Sequence, residues 1–436
     1  MGRGRAGVPD IMVLAGTRPE GVKIAPLVRL LCRDPRFTTT VLDTGQQPDR
    51  VDEALAPFGL KADLTLTLRR RSGLLAELAA ELTTGIESVL VRHRPDAVVV
   101  HGDTTTALVG ALVAFWNRIP VIHLEAGLRS HDVAQPFPEE ANRAMVARCA
   151  DLHLAPTPTA RRNLLAEGVP AHRIVVTGNT VVDALHTLLR EGQARPPSWV
   201  DPRRRLVVAT VHRRENWGTG MADVLRALAR VAVEHPDLDL TLVTHPNPHL
   251  AEQVRAGLGH VPQARLVPPL PYPEMIGLLR AATVVVTDSG GLQEEAASLG
   301  VPVVVTRETT ERPEIVQHRL GDLVGTDPDR IVEAVADRLD RPDRNPGGSP
   351  FGDGHAGRRC VQAIADLLVP TSADRVLAPR TPPSAPVAVR PRRRLDPVTG
   401  PRPRPDLPAY PLVEVEPTAH HHGPDEQVDH DAQELL

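Results

Sequence analysis

The chain has 436 residues, with 41% apolar and 24% charged positions, the composition of a globular protein with length enough for two cores and further segments. A formal net charge of -4 excludes the overall basic field that nonspecific nucleic-acid binding requires, and 2% aromatic residues exclude base-stacking platforms. Cys32, Cys149 and Cys360 lie far apart with no CxxC pair, and the N-terminal segment has no apolar run of signal or membrane-span length, so the expectation is a cytoplasmic protein without disulfides.

In chain order, short β-branched runs at 11–15, 38–43, 96–101, 120–123, 152–155 and 174–177 alternate with helical patterns. Each is apolar almost throughout, as a parallel strand covered on both faces requires. Residues 1–190 therefore read as a doubly wound α/β domain. After a loop at 191–202 rich in Pro, Gly and Arg, strand runs return at 206–211, 238–244, 265–267, 283–287, 301–305 and 323–324. They predict a second domain of the same class over 203–345. A Pro/Gly-rich stretch at 341–353 leads to an apolar helical pattern at 356–368 that is expected to finish the fold. From 370 to 436 the composition turns to Pro, Arg, Ala and Val without periodicity, with an arginine cluster from Arg390 to Arg404. This tail is expected to be disordered.

In an open α/β sheet, ligands bind beyond the carboxyl ends of the strands, so the residues that follow each strand carry the functional information. Gly16-Thr17-Arg18-Pro19-Glu20 follows the first strand, with Lys23 one turn into the helix that Pro19 starts. Helix N-terminal amides with Arg18 and Lys23 offer a place for an anion, although a plain βα turn with two solvated cations has the same pattern. His101-Gly102-Asp103-Thr104-Thr105-Thr106 ends another strand on an aspartate, which is either a functional carboxylate or an N-cap. His123-Leu124-Glu125 places a carboxylate past a third strand, and Pro136-Phe137-Pro138-Glu139-Glu140 opens a helix carrying Asn142 and Arg143. Asp103, Glu125 and Glu139, gathered at one sheet edge, are candidate proton-transfer groups. The spacing of these acids and histidines matches no metal-ligand pattern, and no metal is expected.

The second half has two matching places. His212-Arg213-Arg214-Glu215-Asn216 follows its first strand, and Asp288-Ser289-Gly290-Gly291-Leu292-Gln293-Glu294-Glu295 runs from a strand into a helix. The glycines let backbone N–H groups approach a phosphate, and a carboxylate further down the helix can accept ribose hydroxyl bonds. Thr309-Thr310-Glu311-Arg312-Pro313-Glu314 follows.

Through these motifs, together with Glu-Ala-Gly-Leu-Arg at 125–129 and Thr-Gly-Asn-Thr-Val at 177–181, the sequence from Ile11 to Leu368 closely resembles the bacterial, non-hydrolysing UDP-N-acetylglucosamine 2-epimerase family. The resemblance implies two Rossmann-like domains facing a cleft (a GT-B-like fold), a last helix crossing back to the first domain, a homodimer, a UDP-sugar substrate, and no cofactor, membrane or nucleic-acid partner. It implies elimination of UDP and readdition through 2-acetamidoglucal, giving UDP-N-acetylmannosamine. Asp103, Glu125 and Glu139 carry over as proton-transfer and charge-stabilising groups, with the base in each direction open. Arg18, Arg143, His212 and Ser289-Gly290-Gly291 carry over to diphosphate binding and Glu295 to ribose; Lys23, Gln46 and Arg312 belong to the expected binding set, and His212 also to the catalytic one. Hydrolysing or uronic-acid-specific 2-epimerases and a retaining glycosyltransferase of the same fold are the alternatives. The chain departs from the family where Gln-His-Arg after the second strand becomes Gln46-Gln47-Pro48, and where Glu-Gly becomes Glu314-Ile315.

Overall fold

The computed structural model describes residues 8–213, 216–245, 247–340 and 348–369. The first half runs β1 (Asp10–Ala15), α1 (Arg18–Leu31), β2 (Thr38–Asp43), α2 (Arg50–Leu55), β3 (Leu64–Thr65), α3 (Leu75–His93), β4 (Ala97–His101) and α4 (Thr105–Trp116). It continues with β5 (Val121–Leu124), α5 (Glu139–Cys149), β6 (Leu152–Ala155), α6 (Pro158–Ala166), β7 (Ile174–Val176) and α7 (Thr180–Arg190). The second half runs β8 (Arg205–Thr210), α8 (Thr219–Glu234), β9 (Leu238–Val243), α9 (Pro248–Leu258), β10 (Ala264–Val267), α10 (Tyr272–Ala281), β11 (Val284–Thr287) and α11 (Gly290–Ser298). It ends with β12 (Val303–Val305), α12 (Glu314–Gln317), β13 (Gly321–Leu323), α13 (Pro328–Asp340) and α14 (Ala356–Leu368).

The strands form two sheets, ordered β3-β2-β1-β4-β5-β6-β7 and β10-β9-β8-β11-β12-β13. Every pairing within them is parallel. Central strands are mostly apolar and buried because helices cover both faces: Ile11 to Ala15 of β1 are all fully buried. Strand order reverses between β1 and β4 in one sheet and between β8 and β11 in the other. These switch points open a crevice at the strands' carboxyl ends, and there the polar turns emerge.

One continuous core joins the two sheets, through Ile24 and Leu27 of α1, Leu185 of α7, Ile276 of α10 and Ile364 of α14. The last helix forms over the span that its sequence pattern predicts. The amides of Ala356 and Gly357 at its start donate to the Asp183 carboxylate of α7, at 3.0 and 2.9 Å, which fixes α14 against the helices of the first sheet. β3, only two residues long, has too little apolar sequence to be recognised before folding. β12 starts two residues later than expected, beyond Pro302, and β13 starts two residues earlier, at Gly321, whose missing side chain lets it pair directly against Val303. Among the described residues no helix is long and apolar enough to cross a membrane. The expected disordered tail at 370–436 lies outside the described residues.

Candidate active site

The turn after β1 is locked from within. Glu20, in the first turn of α1, accepts from the Gly16 amide (3.0 Å), the Thr17 hydroxyl (2.9 Å) and the Thr104 hydroxyl (2.7 Å), tying this turn to the one after β4. Gly16 has to be glycine, since a Cβ there would collide with the hydroxyls of Thr44 and Thr106. Gln46 is buried beside them, its carbonyl accepting from the Thr106 amide (3.1 Å) and hydroxyl (2.9 Å).

Thr104, and not Asp103, caps α4, accepting from the Ala107 amide at 3.0 Å. The Asp103 carboxylate instead takes a hydrogen bond from Arg143, while its backbone carbonyl accepts from Asn142 at 2.8 Å. That settles the N-cap alternative for Asp103 and docks α5 over the turn after β4. Glu139, the first residue of α5, faces Arg213 at 3.7 Å across the crevice. Burial and the nearby charge of Asp103 raise the Glu139 pKa, against the pull of Arg213 and Arg143.

Glu125 has different surroundings. Its carboxylate accepts from Lys23 Nζ (2.6 Å) and Asn179 Nδ2 (2.7 Å), with His101 Nε2 at 3.7 Å and Arg312 at 3.9 Å. Burial alone would raise its pKa, but Lys23, His101 and Arg312 outweigh it and hold Glu125 well below the usual carboxylate range. His123 and His153 are buried structural histidines. Desolvation lowers their pKa values to about 3 and about 4, and the His123 ring meets the Gly102 carbonyl at 2.7 Å.

On the other side Asp288 organises the turn after β8: one carboxylate oxygen accepts from the amides of His212 (2.9 Å) and Arg213 (2.8 Å) and from Asn216 Nδ2 (3.1 Å). His212 stacks on His245, ring centres 5.9 Å apart. The Ser289-Gly290-Gly291 turn leads into α11, whose first amides have no intrahelical acceptor and point outward. A Cβ on Gly290 would strike the Arg312 guanidinium, whereas one on Gly291 would meet open space. Glu295, buried one helical turn further on beside Tyr272, has its pKa raised by burial to about 7.

All thirteen residues expected at the site line a single cleft of about 420 Å3 between the two sheets, a size typical of ligand pockets. Two of them are enclosed by carboxylates, Lys23 by Glu125 and Glu294, Arg312 by Glu294 (2.7 Å) and Glu311 (2.5 Å). Ammonium and guanidinium groups this deeply buried require anionic partners, and the acids supply them. Asn179, Glu294 and Asp288 also belong to the site; each lies inside a motif quoted above, but its sequence position alone does not mark it as a site residue. Asn179 carries both a capping role, its Oδ1 accepting from the Val181 amide of α7 at 3.0 Å, and the bond to Glu125. Among the described residues no group of three or more acids, histidines or cysteines is arranged to hold a metal ion.

Two parallel sheets meeting at a cleft, with a glycine-led helix end on one wall and acids on the other, define a GT-B-like enzyme. The family model for UDP-N-acetylglucosamine 2-epimerase matches residues 29–365. The UDP-N-acetylglucosamine 2-epimerase of Escherichia coli O157:H7 is 42% identical over 368 residues, covering 81% of this chain and 98% of that protein. The crystal structure of the Neisseria meningitidis UDP-GlcNAc 2-epimerase bound to UDP-GlcNAc superposes with a TM-score of 0.79 at 34% identity, over 82% of this chain and all of that one. The Methanocaldococcus jannaschii enzyme, in complex with UDP-GlcNAc and UDP, gives 0.73 at 31% identity, over 82% of this chain and 99% of that one. The chain belongs to the UDP-N-acetylglucosamine 2-epimerase family.

Proposed function

We propose that the chain interconverts UDP-N-acetylglucosamine and UDP-N-acetylmannosamine by expelling UDP and adding it back. The observation that carries this reading is the convergence of Asp103, Glu125 and Glu139 on the same cleft as the glycine-led end of α11. The C–H at the sugar's second carbon is not beside a carbonyl, so a side-chain base does not remove its proton directly. Departure of UDP makes the anomeric centre oxocarbenium-like and acidifies that C–H; its proton passes to a carboxylate and leaves 2-acetamidoglucal. Protonation from the opposite face and return of UDP complete the inversion. No net oxidation occurs, so the route needs no redox cofactor.

The α11 amides, Arg18, Arg143 and His212 receive the diphosphate in this reading, and Glu295 the ribose. Donors fixed in place before charge develops are each worth about two decades in rate. The unlike environments of the acids support a division of labour. Glu125, held as an anion, faces the oxocarbenium charge, while Glu139, whose proton is held more firmly, and Asp103 take the proton from the sugar's second carbon and return it. Incubation with UDP-N-acetylglucosamine in deuterated water tests the proposal. Both epimers should acquire deuterium at the second carbon, and release of UDP with neither deuterium uptake nor an epimer would overturn it.

The enzyme is further proposed to be a homodimer. Val91 near the end of α3 and Phe115 and Trp116 at the end of neighbouring α4 are 51%, 56% and 60% exposed, the kind of apolar patch that a second copy covers. Sedimentation should give twice the chain mass, and Trp116→Glu should shift it to one.

A further inference from the structure

Four charged side chains close a ring where the two halves of the molecule meet. Lys23 of α1 contacts Glu125 at 2.6 Å; Glu125 lies 3.9 Å from Arg312; Arg312 binds Glu294 of α11 at 2.7 Å; and Glu294 returns to Lys23 at 3.1 Å. Lys23 and Glu125 come from the first sheet's elements, Glu294 and Arg312 from the second's. The side chains are 7% exposed or less, and Glu294 is fully buried. With two cations and two anions the ring is neutral, and each corner depends on the others, because a buried charge left without its partner is strongly destabilised.

Glu294 sits one residue before Glu295, so the two point about 100° apart on the helix. Glu295 faces the cleft with the glycine-led end of α11, while Glu294 faces the ring. A nine-residue helix moves as a unit, so whatever seats its amino end also seats Glu294. We propose that Lys23 and Glu294 are positioning residues for the epimerisation, a relay by which α11, the nucleotide-holding helix, sets the place of the Glu125 carboxylate. Lys23 is then not a ligand for the diphosphate: two carboxylates hold its ammonium, and it acts through Glu125. The groups facing Glu125 are Lys23 from α1, His101 from β4, Asn179 at the start of α7 and Arg312 from the loop after β12. Lys23 is the closest cation among them, and its removal takes away the largest attraction that keeps Glu125 charged.

This inference rests on the proposed epimerisation, and wild-type turnover of UDP-N-acetylglucosamine tests that reading separately. Lys23→Met and Glu294→Gln in the full chain test the relay. A misplaced group costs about 100-fold in rate, so Lys23→Met should lose about that much in kcat, and Glu294→Gln should fall in the same direction by less. UDP affinity, measured by calorimetry, should change less than about threefold in either variant, and the acid limb of the kcat profile should move to higher pH in Lys23→Met and to lower pH in Glu294→Gln. Carbon-13 glutamate NMR reads the relay without turnover, using the Glu125 resonance identified by its loss in Glu125→Gln: it should titrate at higher pH in Lys23→Met, which takes a cation away from it, and at lower pH in Glu294→Gln, which leaves Lys23 and Arg312 without the competing ring anion. A tenfold or greater loss of UDP affinity with kcat retained would make Lys23 a diphosphate ligand and overturn the relay. An unshifted Glu125 titration in both variants would overturn it as well, whether or not the wild type epimerises.

Discussion

At Glu125 the backbone lies at φ 62°, in the left-handed region that non-glycine residues seldom occupy. Such strain, about 1 to 3 kcal/mol, persists where the surroundings over-determine a residue, and here Lys23 and Asn179 grip the side chain directly. A carboxylate aimed by both its own backbone and its neighbours is preorganised, which is what stabilising a developing positive charge requires. Replacing Asp103 by Asn, or Glu125 or Glu139 by Gln, keeps the shape and removes the charge. Each variant should lose at least about 100-fold in turnover while retaining the wild-type circular dichroism spectrum, and near wild-type rates in any two of them would remove the acids from the mechanism. Gly290→Ala tests the opposite wall: the added methyl meets the Arg312 guanidinium, so UDP affinity should fall at least about tenfold, as calorimetry would show. Asp103, Glu125 and the glycine turn are legible in the sequence because they follow strands, and Glu139 because its motif opens a helix. Glu294 is not: only the fold brings α11 against α1 and tells which of two adjacent glutamates points at Lys23. The same holds for Asn179, separated by 54 residues from the carboxylate it binds.

Secondary elements are readable where burial on both faces leaves a nearly uninterrupted apolar run, as in β1, β4 and β11, and are shifted or missed where pairing is set by a neighbour, as in β13 and β3. Helix α14 shows both sides of this. Its extent follows from its apolar periodicity, but its anchoring depends on an aspartate 173 residues earlier in the chain. Asp183 is buried, and burial raises its pKa against the two amides that it accepts from. Asp183→Ala would leave the Ala356 and Gly357 amides buried without acceptors, at a cost of about 1 to 3 kcal/mol each. Chemical denaturation should show that loss with the slope unchanged, and an unaltered midpoint would mean that α14 is held by its apolar face alone. Because α14 also packs on α1, which carries Arg18 and Lys23, turnover should fall together with stability.

For the whole molecule, charge burial between the two sheets makes stability depend on pH in two opposite senses. Glu125 and Glu311 are buried, which would raise their pKa values, but Lys23 at the one and Arg312 and Arg307 at the other hold both well below the ordinary glutamate value of 4.5. The unfolded chain therefore binds protons that the folded one refuses, so the stability they contribute is present above about pH 4.5 and is lost as pH falls through their folded values. Burial acts the other way on Asp43, raised to about 6, and on Glu295, raised to about 7. Their contribution is complete below their unfolded values and is lost as pH rises toward 6 and 7, at no more than about 1.4 kcal/mol per pH unit for each group. The melting temperature of the ligand-free protein should accordingly peak on the acid side of neutrality and fall in both directions. Glu295→Gln removes the group that ionises last, so its melting temperature should decline less than the wild type's between pH 6 and pH 8. A wild-type melting temperature that stays level over that interval, or an equal decline in the variant, would show that Glu295 is already ionised in the folded protein and ready to meet ribose hydroxyls without giving up a proton.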